Sequence, residues 1–222
     1  MREIGGMRFY DRLEEILDPA HCALLVVDMQ NDFCSPIGHF AQHGKSVAGV
    51  QSIIQPIARL LGDARDRGIP VLHTQQTTAL GLASDTPAWL YFKTRDGKSP
   101  DYTLDGSWGQ QFVIELQPLA DEAVIRKFRP SAFLGTELEQ RLRAHGTETV
   151  VITGCLTQGC VMATAMDASF HDFYAVVVED CVQSTSPEQH ENALRFLRSR
   201  YDVLTASEVI QTWSTCVPVA AR

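Results

Sequence analysis

The sequence predicts a three-layer α/β protein: a mostly parallel sheet of about six strands, doubly wound, with helices on both faces. Short β-branched runs alternate with helical patterns along the chain, as strands joined by crossover helices require. The first run, ALLVV at residues 23–27, is uniformly apolar and reads as a buried strand. The alternation meets no internal break, and 222 residues suit one domain with a substantial core, so residues 1–222 are expected to form a single domain.

The elements follow in order. After the strand ending at Asp28, residues 47–67 carry Val50, Ile53, Ile54, Ile57, Leu60 and Leu61 at intervals of three and four, the period of an amphipathic helix. Pro56 marks a kink or a start one residue in, and Gly68 stops the helix. Residues 69–73 read as the next strand. From Thr77 to Gln117 the periodicity fades into a stretch punctuated by Pro87, Gly97, Pro100, Gly106 and Gly109 and rich in aromatics. Segments of that kind are lids or binding loops, or solvated insertions over a sheet edge. Strands are expected again at 123–126, 149–153, 174–178 and 203–205. Helices are expected at 136–144, at 158–170 (apolar nearly all round, hence buried), at 187–200 and from Ala206.

Composition excludes some function classes. Hydrophobic residues make up 45% and charged residues 21%, which is ordinary for a globular protein and argues against disorder. A net charge of -8 disfavours nucleic-acid binding, which needs a basic footprint. No apolar run approaches the length of a membrane helix, and the charged N-terminus does not read as a signal peptide. Six cysteines without a C-x-x-C pair fit free thiols in a reducing compartment, so a cytoplasmic location is expected.

In open α/β sheets ligands bind beyond the carboxyl ends of the strands. Asp28, Lys127 and Cys160 all fall at such ends. Cys160 would sit in the first turn of its helix, where unpaired N–H groups and a nearby Lys127 ammonium would favour the thiolate. Asp28 could take the thiol proton and later activate water. Glycines at 154 and 159 would let backbone N–H groups approach an oxyanion. Taken alone, a cysteine in this setting reads more often as an inert core thiol.

Three motifs change that balance: VVDMQNDF (Val26–Phe33), VIRKFRPSAFLGTEL (Val124–Leu138) and VVITGCLTQGCVMATAMDA (Val150–Ala168). In order, spacing and strand context they resemble the isochorismatase-like cysteine hydrolases, over about residues 20 to 210. The resemblance implies a parallel sheet of about six strands, Asp28 as acid/base, Lys127 as charge stabiliser and Cys160 as nucleophile. It also implies a cis peptide at Cys155–Leu156, an oxyanion hole formed by the Leu156 and Cys160 N–H groups, a thioester intermediate, and a homo-oligomer, dimer or tetramer.

The loop T-x-G-C-V-x-A-T (Thr157–Thr164) is most similar to the N-carbamoylsarcosine amidase and maleamate amidohydrolase branch, which releases ammonia from small amides or ureido compounds bearing a carboxylate. Arg129, Lys93 and Arg95 are the candidate cations for that carboxylate, Arg129 foremost because a guanidinium forks onto it; an outward-facing surface arginine is the competing reading. Phe33, Trp89 and Trp108 are candidate pocket walls, and Tyr102 or Trp108 could complete a neighbour's site. The metal-binding D-x-H of the family's nicotinamidases is absent from HTQQTT (His73–Thr78), and a site at His39 and His43 is disfavoured, so no metal and no cofactor are expected. Two other readings stay open. A vinyl-ether-cleaving isochorismatase uses Asp and Lys without the thiol, so Cys160 counts against it. A redox protein could pair Cys155 with Cys160.

Overall fold

The structure, a computed structural model, describes residues 1–216; residues 217–222 of the expected domain lie outside them. Two short strands, β1 (Arg2–Ile4) and β2 (Met7–Phe9), form an exposed antiparallel hairpin that the sequence pattern did not reveal. Its three-residue strands bury nothing, so they carry no hydrophobic period to read.

The main sheet contains β3 (Cys22–Val27), β4 (Val71–Gln76), β5 (Ala123–Lys127), β6 (Thr149–Cys155), β7 (Tyr174–Gln183) and β8 (Asp202–Leu204). Every pairing in it is parallel, in the order β5-β4-β3-β6-β7-β8. All six expected strands are present. The chain first winds outward from β3 to β5, then returns to β6 beside β3 and winds the other way. The reversal therefore lies between β3 and β6, where a doubly wound sheet opens a crevice at its carboxyl edge.

Strand side chains alternate between two cores. Leu24 and Val26 of β3 face one layer, packed by helix α1 (Ile54–Asp66) through Ile57, Leu60, Leu61 and Ala64. Ala23, Leu25 and Val27 face the other, packed by α3 (Leu138–Ala144), α4 (Met162–Phe170) and α5 (Pro187–Arg198); α2 (Pro87–Thr94) stands apart, above the sheet's carboxyl edge. A last helix, α6 (Ala206–Thr215), joins the α1 side and brings in the fully buried Trp213.

Three elements depart from the expected pattern. The helix expected at 47–67 is divided at Ile53 into Ala48–Ser52 and α1. Pro56 has no N–H for the Ser52 carbonyl, and its ring crowds that carbonyl, so the break falls just upstream of the proline. The helix expected from 158 begins as a π-turn, Thr157–Val161, distorted at Gly159 (φ -112°, ψ -106°), and becomes regular only at Met162. Its burial is also one-sided: Thr164, Ala165 and Ala168 are buried, whereas Phe170 is 65% exposed. The irregular 77–117 stretch contains α2, whose start is marked by Thr86 capping the Trp89 N–H and by Pro87 in the first turn. That Thr-Pro signal is readable in the sequence.

Glu122, just before β5, ties three elements together. Its carboxylate takes a forked pair from Arg65 of α1 (2.7 and 2.9 Å), lies 3.1 Å from His73 Nε2 on β4, and accepts the Leu119 N–H. Burial opposes its ionisation, but the His73 and Arg65 contacts outweigh burial and hold its carboxyl down at about 2. A depressed carboxyl stabilises the fold above its unfolded pKa, and the contribution disappears as pH falls through the folded value. Glu122→Gln should therefore cost about 2–3 kcal/mol at pH 7, with the difference from native protein shrinking between pH 5 and pH 2. Urea melts across that range would show a constant difference if Glu122 were not the linked group.

Candidate active site

The carboxyl ends of β3, β4, β5 and β6 converge on a small polar cluster. Asp28 follows β3 in a left-handed backbone conformation (φ 52°), rare for a residue with a side chain. Its N–H is held by Thr74 of β4, and its Oδ1 accepts the Thr74 hydroxyl at 2.6 Å. Its Oδ2 lies 2.7 Å from Lys127 Nζ, and both side chains are fully buried. That oxygen has no aligned hydrogen-bond donor, so it keeps acceptor capacity toward the adjacent thiol.

Lys127 ends β5, two strands from β3, a span of about 10 Å at ordinary strand spacing. A long side chain is needed to cross it. The ammonium also approaches Gln76 Oε1 (2.9 Å), the Arg129 carbonyl (3.0 Å) and Cys160 Sγ (3.3 Å). Burial works against the charged lysine, but the Asp28 carboxylate and Cys160 outweigh it and move its pKa up. Gln76 is fixed in turn by Gln30, which accepts the Gln76 N–H and donates to the Gln76 carbonyl.

Cys160 reaches the cluster from the turn after β6. The approach depends on Gly154 (φ +108°), where a Cβ would overlap the Val27 carbonyl oxygen, so β6 can run this close to β3 only with glycine there. The Cys155–Leu156 peptide bond is cis. All six cysteines are free. Cys155 Sγ donates to the Asp28 carbonyl at 3.3 Å and also faces Cys34, its surroundings being buried.

The thiol differs from the sequence expectation. Burial pushes Cys160 up to about 12; Lys127 pulls it down, and Asp28 pushes it up again. The π-turn also replaces the regular helix start that was to favour a thiolate. Burial therefore favours the protonated thiol, which stands beside the Asp28–Lys127 pair. Alkylation by iodoacetamide should therefore climb about tenfold per pH unit from pH 6 to 9. A plateau near neutrality would show a preformed thiolate instead.

Above the cluster lies a cleft of about 680 Å³. Cys160, Leu156, Phe33 and Trp89 line it, so these expected residues come together. So do Lys93 and Arg95, from the 77–117 stretch, which forms one wall. Two expected residues lie elsewhere. Arg129 does not line the cleft: its guanidinium packs over the Trp89 ring at 5.1 Å and donates to the Ser84 and Phe128 carbonyls. Trp108 is 46% exposed, outside the cleft of its own chain, in a 3₁₀ turn anchored where Asn31 donates to its carbonyl. Thr74, Gln76 and Lys45 were missed. The first two are themselves buried, two residues apart and so on one face of β4, and polar residues at such a strand end are the available signal. Among the described residues no group of three or more His, Cys, Asp or Glu is placed to hold a metal ion, and no helix is long and apolar enough to cross a membrane.

The isochorismatase domain family matches residues 22–209. The chain is 36% identical to the ureidoacrylate amidohydrolase of Methylobacterium radiotolerans over 204 residues, covering 86% of this chain and 78% of that protein. It is 33% identical to the maleamate amidohydrolase of Pseudomonas putida over 190 residues, 85% of each. Among solved structures, the N-carbamoylsarcosine amidase of Thermoplasma acidophilum superposes with a TM-score of 0.66 at 27% identity, covering 84% of this chain and 96% of that one.

Proposed function

The chain belongs to the isochorismatase family, and on that premise we propose that it is a cysteine-dependent amidohydrolase releasing ammonia from an amide or ureido compound that carries a carboxylate. The observation that carries this reading is the convergence of Asp28, Lys127 and Cys160 at the reversal point of the sheet, beneath an open cleft. Similarity to ureidoacrylate and maleamate amidohydrolases supports the substrate class.

In the proposed reaction Asp28 takes the Cys160 proton as sulfur attacks the carbonyl carbon. The Leu156 and Cys160 N–H groups receive the developing oxyanion. Lys127, 2.7 Å from the Asp28 carboxylate, offsets the changes of charge during turnover. The C–N bond breaks as Asp28 returns the proton to the leaving nitrogen, giving ammonia and a thioester or thiocarbamate on Cys160. Asp28 then takes a proton from water, hydroxide displaces sulfur, and the proton returns to the thiolate. A thiol whose pKa is raised by burial suits this sequence, because it becomes nucleophilic as Asp28 takes its proton with a carbonyl in place. Trp108, Ile114 and Leu119 are among the exposed apolar side chains that the proposed homo-oligomer could cover.

Ammonia release should be measured, without added metal, from ureidoacrylate, maleamate, N-carbamoylsarcosine, biuret and nicotinamide. Acid quench during turnover should leave an adduct on the Cys160 peptide, detected by mass. Ammonia release with no adduct, and unaffected by complete alkylation of Cys160, would refute the cysteine mechanism.

A further inference from the structure

The cleft's electrostatics and size oppose those of the chain around it. The protein carries a net charge of -8, yet the described residues lining the cleft include Lys45, Lys93, Arg95 and Lys98 and no aspartate or glutamate. These cations are not equivalent. Lys93 is buried and neutralised: its ammonium meets Asp85 at 2.9 Å and the Thr78 hydroxyl at 3.1 Å. Among the described residues no carboxylate pairs with Lys45, whose Nζ lies 3.9 Å from the centroid of the Phe40 ring. Burial, then the charge of Lys98, work against its ammonium and lower its pKa. A half-buried ammonium steadied by a π-face, with no carboxylate partner among the described residues, gains from an anion entering the cleft.

Much of the remaining lining is aromatic. Phe33 stands 4.8 Å from Phe40 and 5.8 Å from Tyr102, ring to ring. Trp89 and Phe92, which also line the cleft, stack at 5.2 Å with planes 17° apart. A cleft of about 680 Å³ lies in the range that encloses drug-sized ligands. An acid as small as ureidoacrylate would fill only part of it and leave these rings uncovered.

We infer that Lys45 is the specificity-determining residue for the substrate's carboxylate, and that the preferred substrate is a ureido or amide compound whose reactive carbonyl and carboxylate are separated by a flat, aromatic body. The substrate half of this inference rests on the amidohydrolase reading; the anion site does not. An aryl ring would lie among Phe33, Phe40 and Tyr102 while the carbonyl meets Cys160 and the carboxylate meets Lys45.

The test separates binding from turnover. Calorimetry at low salt should show 4-aminobenzoate binding the native protein at least about tenfold more tightly than uncharged aniline. Lys45→Met should abolish that preference and Lys45→Arg should retain most of it, with melting temperatures checking that both variants fold. Equal affinity for the two ligands in native protein, or a preference unchanged in Lys45→Met, would overturn the anion site. In turnover, native enzyme should prefer 4-ureidobenzoate to both phenylurea and ureidoacrylate in kcat/KM. Lys45→Met should raise KM for 4-ureidobenzoate about tenfold with a smaller change in kcat. Hydrolysis of ureidoacrylate in preference to 4-ureidobenzoate would overturn the aromatic substrate class and leave the amidohydrolase reading intact. Lys45-dependent binding with no hydrolysis of any ureido or amide compound would uphold the anion site and overturn the amidohydrolase reading.

Discussion

Cys160→Ser is expected to lower ammonia release by roughly 10³-fold or more while leaving the melting temperature within a few degrees of native. The two expectations have separate origins. The activity falls because the proposed mechanism needs a polarizable nucleophile that can later leave, and a serine alkoxide in the same place does neither well without a stronger base than Asp28. The fold survives because a hydroxyl is smaller than a thiol, still finds Lys127 Nζ as a donor, and sits where the side chain is only partly covered. A variant keeping more than a tenth of native turnover would mean that the thiol is not the nucleophile. The vinyl-ether chemistry that needs only Asp and Lys would then return to consideration.

Lys127→Met should damage both stability and activity. Methionine nearly fills the lysine volume, so the dominant change is electrostatic: the fully buried Asp28 carboxylate loses the ammonium 2.7 Å away. Removing one member of a buried ion pair costs about 3–5 kcal/mol, because the remaining charge is left without solvent or partner. For a domain of this length that corresponds to a fall of about 10 °C in melting temperature. Asp28 escapes part of the cost by taking up a proton, but a protonated Asp28 cannot accept one from Cys160. Turnover should therefore drop by at least about 10³-fold as well. The double variant Asp28→Asn with Lys127→Met discriminates between the two effects. It should recover much of the lost stability and none of the activity. If the double variant is no more stable than Lys127→Met, the buried pair is not the source of the loss.

The reach of sequence reasoning differs by element. β3 and β6 were legible because strands covered on both faces must be continuous apolar runs, as CALLVV and the first residues of TVVITGC are. Asp28, Lys127 and Cys160 were found by asking which reactive residues follow such runs, since parallel strands deliver all their carboxyl ends to one rim. The same rule could have found Thr74 and Gln76. They were passed over because a threonine or glutamine at a strand end is chemically unremarkable until the register places Gln76 opposite Lys127. The split of the 47–67 helix was half legible: Pro56 signalled an interruption, but hydrophobic period alone does not say on which side of the proline it falls.

What the sequence determined by itself is the set of local and periodic facts: six strands, the helices between them, and three reactive residues at strand ends. These follow from backbone hydrogen bonding and side-chain period, which act over a few residues. The tertiary structure decided everything that depends on distances between remote segments. It turned Arg129 onto the Trp89 ring instead of into the cleft, left Trp108 outside, brought Lys45 in, and set Cys160 beside the Asp28–Lys127 pair in surroundings that raise its pKa. Charge interactions and desolvation depend on which groups lie within a few ångströms and how much water is excluded. The order of residues along the chain carries neither quantity.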